Sequence, residues 1–203
     1  MFVLAGLPDI IEKLSTSHHS SIRILRQLKI KELNVEDRIA VIDKAINSDG
    51  QKQITSEARN IISTLSEGYP QFIQQFGFSA FEYNSDGKIN KSDVYTSAFM
   101  SGGALDAIGT ESYNLMYNTQ VQSDEYRQVL SIMANKSMSG SSHEWIKKND
   151  INNDFDGNED TVTNALKTLT FRKIILKNPS KRGEYKLQQR GFALWIKLFG
   201  KRQ

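Results

Sequence analysis

One stretch decides how this sequence is interpreted, and it reads Gly68-Tyr69-Pro70-Gln71-Phe72-Ile73-Gln74-Gln75-Phe76-Gly77. Gly68 predicts the end of a helix because glycine adopts the left-handed conformation at little steric cost. Pro70 predicts the first turn of the next helix, where the missing backbone N–H is not needed. Apolar residues then recur with helical spacing, at Phe72, Ile73, Phe76 and Ala80. These features predict a helix–turn–helix corner whose second helix buries one face.

The two helices directly before this corner are predicted from their caps and apolar stripes. Asn34 is a typical N-cap for a helix over residues 35–46, and the apolar stripe of that helix would be Val35, Ile39, Ile42 and Ile46. Thr55 or Ser56 caps the next helix, which ends near Gly68 after the apolar positions Ala58, Ile61, Ile62 and Leu65.

The chain after the corner continues the same helical pattern. Residues 84–87 predict a turn, Ile89 an apolar anchor, and Ser92 or Asp93 the cap of a further helix. Gly109 and Thr110 then loosen the chain. The segment from Asn34 to Gly109 is therefore predicted to be a compact helical bundle.

This order of elements resembles the helical lid of AAA+/STAND-type P-loop ATPases related to the archaeal and bacterial origin-recognition ATPases. The resemblance rests on the Gly68-x-Pro70 helix start and on the Phe-Ile-Gln run that follows it. It also rests on Ala5-Gly6-Leu7-Pro8, which is similar to the segment after the sensor-1 strand of those enzymes. The resemblance implies a mainly α fold with three parts, namely an ATPase-core remnant (1–33), a lid (34–109) and a winged-helix domain (110–203).

The resemblance also implies a role in sensing a nucleotide. In the full-length parent, Tyr69 and Pro70 would close over the adenine of ATP or ADP, and Arg23 would lie near the phosphates. The phosphate-loop pattern G-x-x-x-x-G-K-[ST] does not occur in the 203 residues. We therefore expect a fragment or truncated product that needs the remainder of the ATPase core as a partner, holds no cofactor alone and does not hydrolyse ATP. No catalytic constellation is predicted from the sequence.

The C-terminal part has the element order of a winged helix, which is three helices followed by a hairpin with a basic tip. The third helix would present outward the side chains of Thr161, Thr163, Asn164, Lys167 and Thr168. The tip of the hairpin would carry Lys181 and Arg182, where they could meet phosphate oxygens. These residues predict a contact surface for double-stranded DNA.

The charge distribution favours the same partner. From Phe171 to Gln203 the chain has ten Lys or Arg residues against one acid, Glu184, which makes this segment +9. The whole chain is +3, so residues 1–170 carry −6. A basic end on an acidic body is typical of a protein that binds a polyanion through that end.

Two alternatives remain open. Winged helices also serve as protein-docking modules, and the third helix begins with Glu159 and Asp160, which repel phosphate. In addition, the loop from Glu82 to Asp93 is similar to an EF-hand calcium loop, with oxygen side chains at most ligand positions and Gly87 at position 6. It departs from that pattern at position 12, where Asp93 stands in place of the bidentate Glu. This loop would make the protein a calcium-responsive regulator.

The composition narrows the class of protein. The absence of cysteine excludes disulfides, thiolate zinc sites and cysteine nucleophiles. The adjacent histidines His18 and His19 do not predict a metal site, because neighbouring side chains on a helix diverge. No apolar run approaches the length of a membrane helix, so no membrane partner is expected. We expect a cytoplasmic protein.

Overall fold

The computed structural model describes residues 31–48, 50, 52–137 and 144–200, together with Thr16. The chain divides into two compact units, Met1–Lys31 and Glu32–Gln203. All elements below belong to the second unit, and the predicted core remnant at 1–33 lies almost entirely outside the described residues. The mainly α fold is confirmed for the described residues.

The first half of this unit is a helical bundle with one short strand pair. Its elements in chain order are α1 (Val35–Ile46), β1 (Gln53–Ile54), α2 (Ser56–Leu65), α3 (Pro70–Tyr83), β2 (Lys88–Ile89), α4 (Lys91–Phe99) and α5 (Ala104–Ile108). The helical path then continues through Gly109–Tyr113 and Leu115–Gln120 with wider turns, in which backbone N–H groups bond five residues back.

The second half contains three helices and a three-stranded antiparallel sheet, closed by a last helix. Its elements are α6 (Asp124–Ser137), β3 (Ile146–Lys147), α7 (Lys148–Asp154), α8 (Glu159–Phe171), β4 (Ile175–Lys177), β5 (Glu184–Leu187) and α9 (Arg190–Phe199). The strand order is β3-β5-β4, and Leu176 of β4 pairs with Lys186 of β5. Among the described residues, no helix has the length and apolar character needed to cross a membrane.

The predicted corner between α2 and α3 is confirmed. Gly68 has φ 88°, and Pro70 is the first residue of α3. A side chain at Gly68 would also come within 2.6 Å of the carbonyl oxygen of Leu33, which lies against the turn. The backbone N–H of Leu33 in turn donates to the carbonyl oxygen of Gly68 at 2.9 Å. Glycine is therefore required here by both conformation and space.

The predicted N-caps of the first two helices are confirmed. The side chain of Asn34 accepts a hydrogen bond from the N–H of Asp37, and the side chain of Thr55 accepts one from Ala58. The cap of α4, however, is Asn90 and not Ser92 or Asp93. Asn90 and Asp93 form a reciprocal capping box, in which each side chain accepts from the other residue's backbone.

The stripe predicted for α1 is only partly buried. Ile42 and Ile46 lie in the core, whereas Val35 at the first turn is exposed. In α3 the predicted stripe is fully buried, and it consists of Phe72, Ile73, Phe76 and Ala80. The short parallel pair of β1 with β2, Gln53 with Lys88 and Ile54 with Ile89, is a feature that the sequence analysis did not predict.

A cluster of five aromatic rings joins the two halves of this unit. Its members are Phe72, Tyr113, Tyr117, Phe192 and Trp195. The rings of Phe192 and Trp195, both on α9, are nearly parallel at 17°. Gly109 lies directly against the indole of Trp195, so closely that a methyl group there would overlap the ring. The region where the sequence predicted a domain boundary is thus part of a continuous core.

Candidate functional site

Helix α8 presents most of the residues predicted to contact nucleic acid. The side chains of Thr163, Asn164 and Lys167 are exposed, whereas those of Thr161 and Thr168 are half-buried. The opposite face of the helix is buried, and it consists of Val162, Ala165, Leu166 and Leu169. The amphipathic spacing of the sequence therefore places the outer face of α8 as predicted.

The hairpin between β4 and β5 is held by one side chain. The Oδ1 atom of Asn178 accepts hydrogen bonds from the N–H groups of Ser180 and Lys181, at 2.9 and 3.2 Å. Its Nδ2 atom donates to the carboxylate of Glu184 across the turn at 2.8 Å. Lys181 and Arg182 stand exposed at the tip, as predicted, and their side chains bury little surface.

Lys148 links the hairpin to the start of α8. Its backbone N–H donates to the carbonyl oxygen of Gly183 at 2.8 Å. Its ammonium group donates to Oε1 of Glu159, the first residue of α8, at 3.0 Å. Lys148 therefore contacts both Gly183, directly after the hairpin tip, and Glu159, at the start of the predicted recognition helix.

The same contact changes the electrostatics at the N-terminus of α8. The hydrogen bond from Lys148, its positive charge and a hydrogen bond with Asn152 hold the pKa of Glu159 below its usual range. The carboxylate is balanced by a partner cation, which weakens its repulsion of a phosphate. Asp160 stays as an exposed acid beside it.

The C-terminal end of α8 carries a residue that the sequence analysis missed. Phe171 is 86% exposed, the largest exposed fraction among the large apolar residues described. The helix ends in a Schellman turn, because the N–H of Ile174 bonds Leu169 and that of Lys173 bonds Thr170. Lys173 has φ 59°, at the position that glycine usually occupies. The helical spacing could have found Phe171, since it lies four residues after Lys167 on the outer face.

The second predicted site is the turn at Tyr69 and Pro70. It borders a cleft of about 390 Å³, whose wall is formed by Tyr69, Pro70, Gln71, Phe72, Ser112, Tyr113, Met116 and Gln189. The hydroxyl of Tyr69 donates to the carboxylate of Glu32 at 3.1 Å. Burial raises the pKa of Tyr69, a hydrogen bond with Gln189 opposes that rise, and Glu32 adds to it. Arg23, predicted near the phosphates, lies outside the described residues.

Tyr113 is the deepest polar side chain of this cleft. Its hydroxyl is shielded from solvent and has no hydrogen-bond partner in the part of the chain that the structure describes. Burial raises the pKa of Tyr113 far above its usual range, and the nearby charges of Glu67 and Tyr69 add to the rise. The hydroxyl lies against Gly191, where a side chain would come within 2.6 Å of it. The cleft is bordered by the start of α3, by Ser112, Tyr113 and Met116, and by Gln189 directly before α9.

In the EF-hand-like loop, carboxylate oxygens accept hydrogen bonds from other groups of the same loop. The Nδ2 atom of the buried Asn84 donates to the carboxylates of Asp86 and Asp93, at 2.7 and 3.1 Å. These carboxylates also accept backbone N–H groups, from Lys88 and Asn90 respectively. Within the ranges that the structure describes, no cluster of three or more His, Cys, Asp or Glu side chains is arranged to hold a metal ion.

Comparison with known proteins identifies no relative. No protein-family model matches this sequence, and neither a curated protein nor a solved structure does.

Proposed function

We propose that residues 124–187 form a winged helix that binds double-stranded DNA, mainly through the phosphate backbone. The order of α6, β3, α7, α8, β4 and β5, with a three-stranded antiparallel sheet, is the order of that module. In it, α8 is the recognition helix and the β4–β5 hairpin is the wing.

The observation that carries this proposal is the position of Lys148. It holds the end of the wing, at Gly183, and the start of the recognition helix, at Glu159. A duplex lying across this edge would meet Lys181 and Arg182 at the wing tip. The outer face of the helix offers Thr163 and Asn164 for base edges and Lys167 for phosphate.

We propose further that the chain is the C-terminal, nucleotide-sensing part of an AAA+/STAND-type ATPase. Its support is the Gly68-x-Pro70 corner and the cleft of about 390 Å³ beside Tyr69. The remainder of the ATPase core would supply the phosphate loop and be the direct partner of this surface. The 203-residue chain alone should release no phosphate from ATP, and measurable turnover would overturn this assignment.

The DNA proposal is tested by fluorescence anisotropy with a labelled duplex of random sequence, at about 50 and about 200 mM salt. The double variant Lys181→Ala with Arg182→Ala should bind less tightly. Its salt dependence should be flatter by about one unit of slope for each phosphate that the variant no longer neutralises. Lys44→Ala with Lys88→Ala removes two exposed cations on other elements and is the matched control.

The rival is a protein-docking role for the same surface. It would be favoured if the wild-type chain bound no duplex even at the lower salt concentration. Equal losses of affinity in the wing variant and the control variant would also count against the proposed interface, since net charge alone would then explain binding.

A further inference from the structure

The outer face of α8 ends in an aromatic ring that the fold does not use. Phe171 is 86% exposed, although burying a Phe side chain contributes about 1.5–3 kcal/mol to stability. The helix is anchored by its other face, and its C-terminus is satisfied by the backbone bonds of Lys173 and Ile174. Stability therefore gives no reason for an aromatic residue at this position.

Phe171 has one cation on its own helix face and two more directly after it in the chain. Lys167 lies one turn earlier on that face, and Arg172 and Lys173 follow at the end of the helix. All three side chains are exposed. The guanidinium of Arg172 also donates to the carbonyl oxygen of Gln120, which fixes its position beside the helix end.

An exposed ring with a cation one turn away on the same helix face matches one ligand chemistry well. Nucleic acid presents phosphates to the cations and a flat π-surface to the ring, and every base has such a surface. In a continuous duplex, however, the base faces are stacked on each other and are closed to a side chain. A base that is unpaired or only weakly stacked is open to the ring.

We propose that Phe171 stacks on an unpaired base, so that this protein prefers DNA with a bulge or a single-stranded step over continuous duplex. The inference rests on the proposed DNA binding and deepens it. The wing and the outer face of α8 supply affinity for the phosphate backbone, and Phe171 supplies the preference for an interrupted duplex. Its contribution is independent of base identity, because stacking needs only a base face.

The test compares two labelled duplexes of equal length, one continuous and one with a single-nucleotide bulge, by anisotropy titration of the full chain. The wild-type protein should bind the bulged duplex about five-fold or more tightly than the continuous one. Phe171→Ala should bind the two equally, Phe171→Leu should also lose the preference, and Phe171→Trp should keep it. Phe78→Ala is the matched control, because this ring is 62% exposed on α3.

The outcomes separate this inference from the proposed function. If the wild-type protein binds both duplexes equally and Phe171→Ala changes neither, the stacking role is wrong and duplex binding stands. If the protein binds neither DNA at low salt, both proposals are wrong. The variant Lys181→Ala with Arg182→Ala should weaken binding to both duplexes by the same factor, so the preference depends on Phe171 alone. Since the ring buries little surface, each Phe171 variant should keep the wild-type circular dichroism spectrum.

Discussion

The carboxylate of Glu67 accepts a hydrogen bond from the backbone N–H of Gly191 at 2.8 Å, across 124 positions of the chain. Glu67 has φ 53°, a conformation that costs a non-glycine residue about 1–2 kcal/mol. Its neighbour Gly68 is also left-handed, and Tyr69 follows at the edge of the cleft. The turn that borders the cleft therefore also holds the first turn of α9.

Replacing Glu67 by alanine should destabilise the protein. Glu67→Ala keeps the cost of the left-handed backbone, leaves the N–H of Gly191 without its acceptor and removes a negative charge from a helix N-terminus. We therefore expect a loss of about 1–2 kcal/mol in the free energy of unfolding. Glu67→Gln keeps an acceptor and should lose less. Urea unfolding followed by circular dichroism measures both, and an unchanged midpoint for Glu67→Ala would show that the bond contributes nothing in solution.

Gly109→Ala should be among the most damaging small substitutions in the chain. The added methyl group would overlap the indole of Trp195, and overpacking a close contact costs about 1–3 kcal/mol or more. Gly77→Ala, inside α3, is the matched control, because an added Cβ there meets nothing within 4 Å. That control should stabilise the protein by about 0.5–1 kcal/mol through helix propensity. Thermal unfolding of the two variants should shift in opposite directions.

The ion pair of Glu159 with Lys148 should give a stability contribution that depends on pH. The pKa of Glu159 is lowered in the folded state, from a starting value of 4.5, chiefly by the hydrogen bond from Lys148. The contribution is therefore present above the unfolded-state pKa and is lost as the pH falls through the folded-state pKa.

Accordingly, Glu159→Gln should lower the urea midpoint at neutral pH, and the difference from wild type should shrink as the pH falls below 4.5 and disappear once Glu159 is protonated in both states. Asp160→Asn, in the same helical turn, controls for the general effect of an acid near a helix N-terminus. A difference that persists unchanged at acid pH would contradict the assignment to Glu159.

Calcium should leave the thermal stability unchanged. One carboxylate oxygen of Asp86 and one of Asp93 each accept two hydrogen bonds within the loop, and these bonds hold a conformation in which no three acidic side chains of the described residues surround a cation. A ligand that binds only the folded state raises the unfolding temperature with concentration. Differential scanning fluorimetry with calcium, and with magnesium as the control ion, tests this. A rise specific to calcium would favour the regulator hypothesis.

Local signals in the sequence predicted local structure well. The corner at Gly68 and Pro70, the cap at Asn34 and the turn before Gly183 each depend on a few neighbouring residues whose conformational preferences agree. The outer face of α8 was also predicted from a local pattern, because the apolar stripe defines the buried face and Lys167 does not belong to it.

The structural features that were not predicted are of two kinds, those without any local sequence signal and those whose signal was present. The pairing of β1 with β2 joins segments of two residues each, too short for any periodicity, and only the three-dimensional path brings Ile54 beside Ile89. The capping box of Asn90 with Asp93, by contrast, could have been predicted from their spacing. For the cleft, the sequence indicated Tyr69 and Pro70. Its opposite wall, with Gln189, arises from a long-range contact that no local pattern indicates.

The contact between Gly109 and Trp195 affects whether the C-terminal segment can be separated from the helices that precede it. Helix α9 packs on α6 and also on the helical segment around Gly109, and its aromatic residues Phe192 and Trp195 complete a cluster with Tyr113. A fragment that begins at residue 110 lacks Gly109. In such a fragment the part of the Trp195 indole that Gly109 covers would be exposed to water. Such a fragment should self-associate through that apolar surface. The segment from α6 to α9 therefore depends on the helical segment around Gly109 to cover part of its apolar surface.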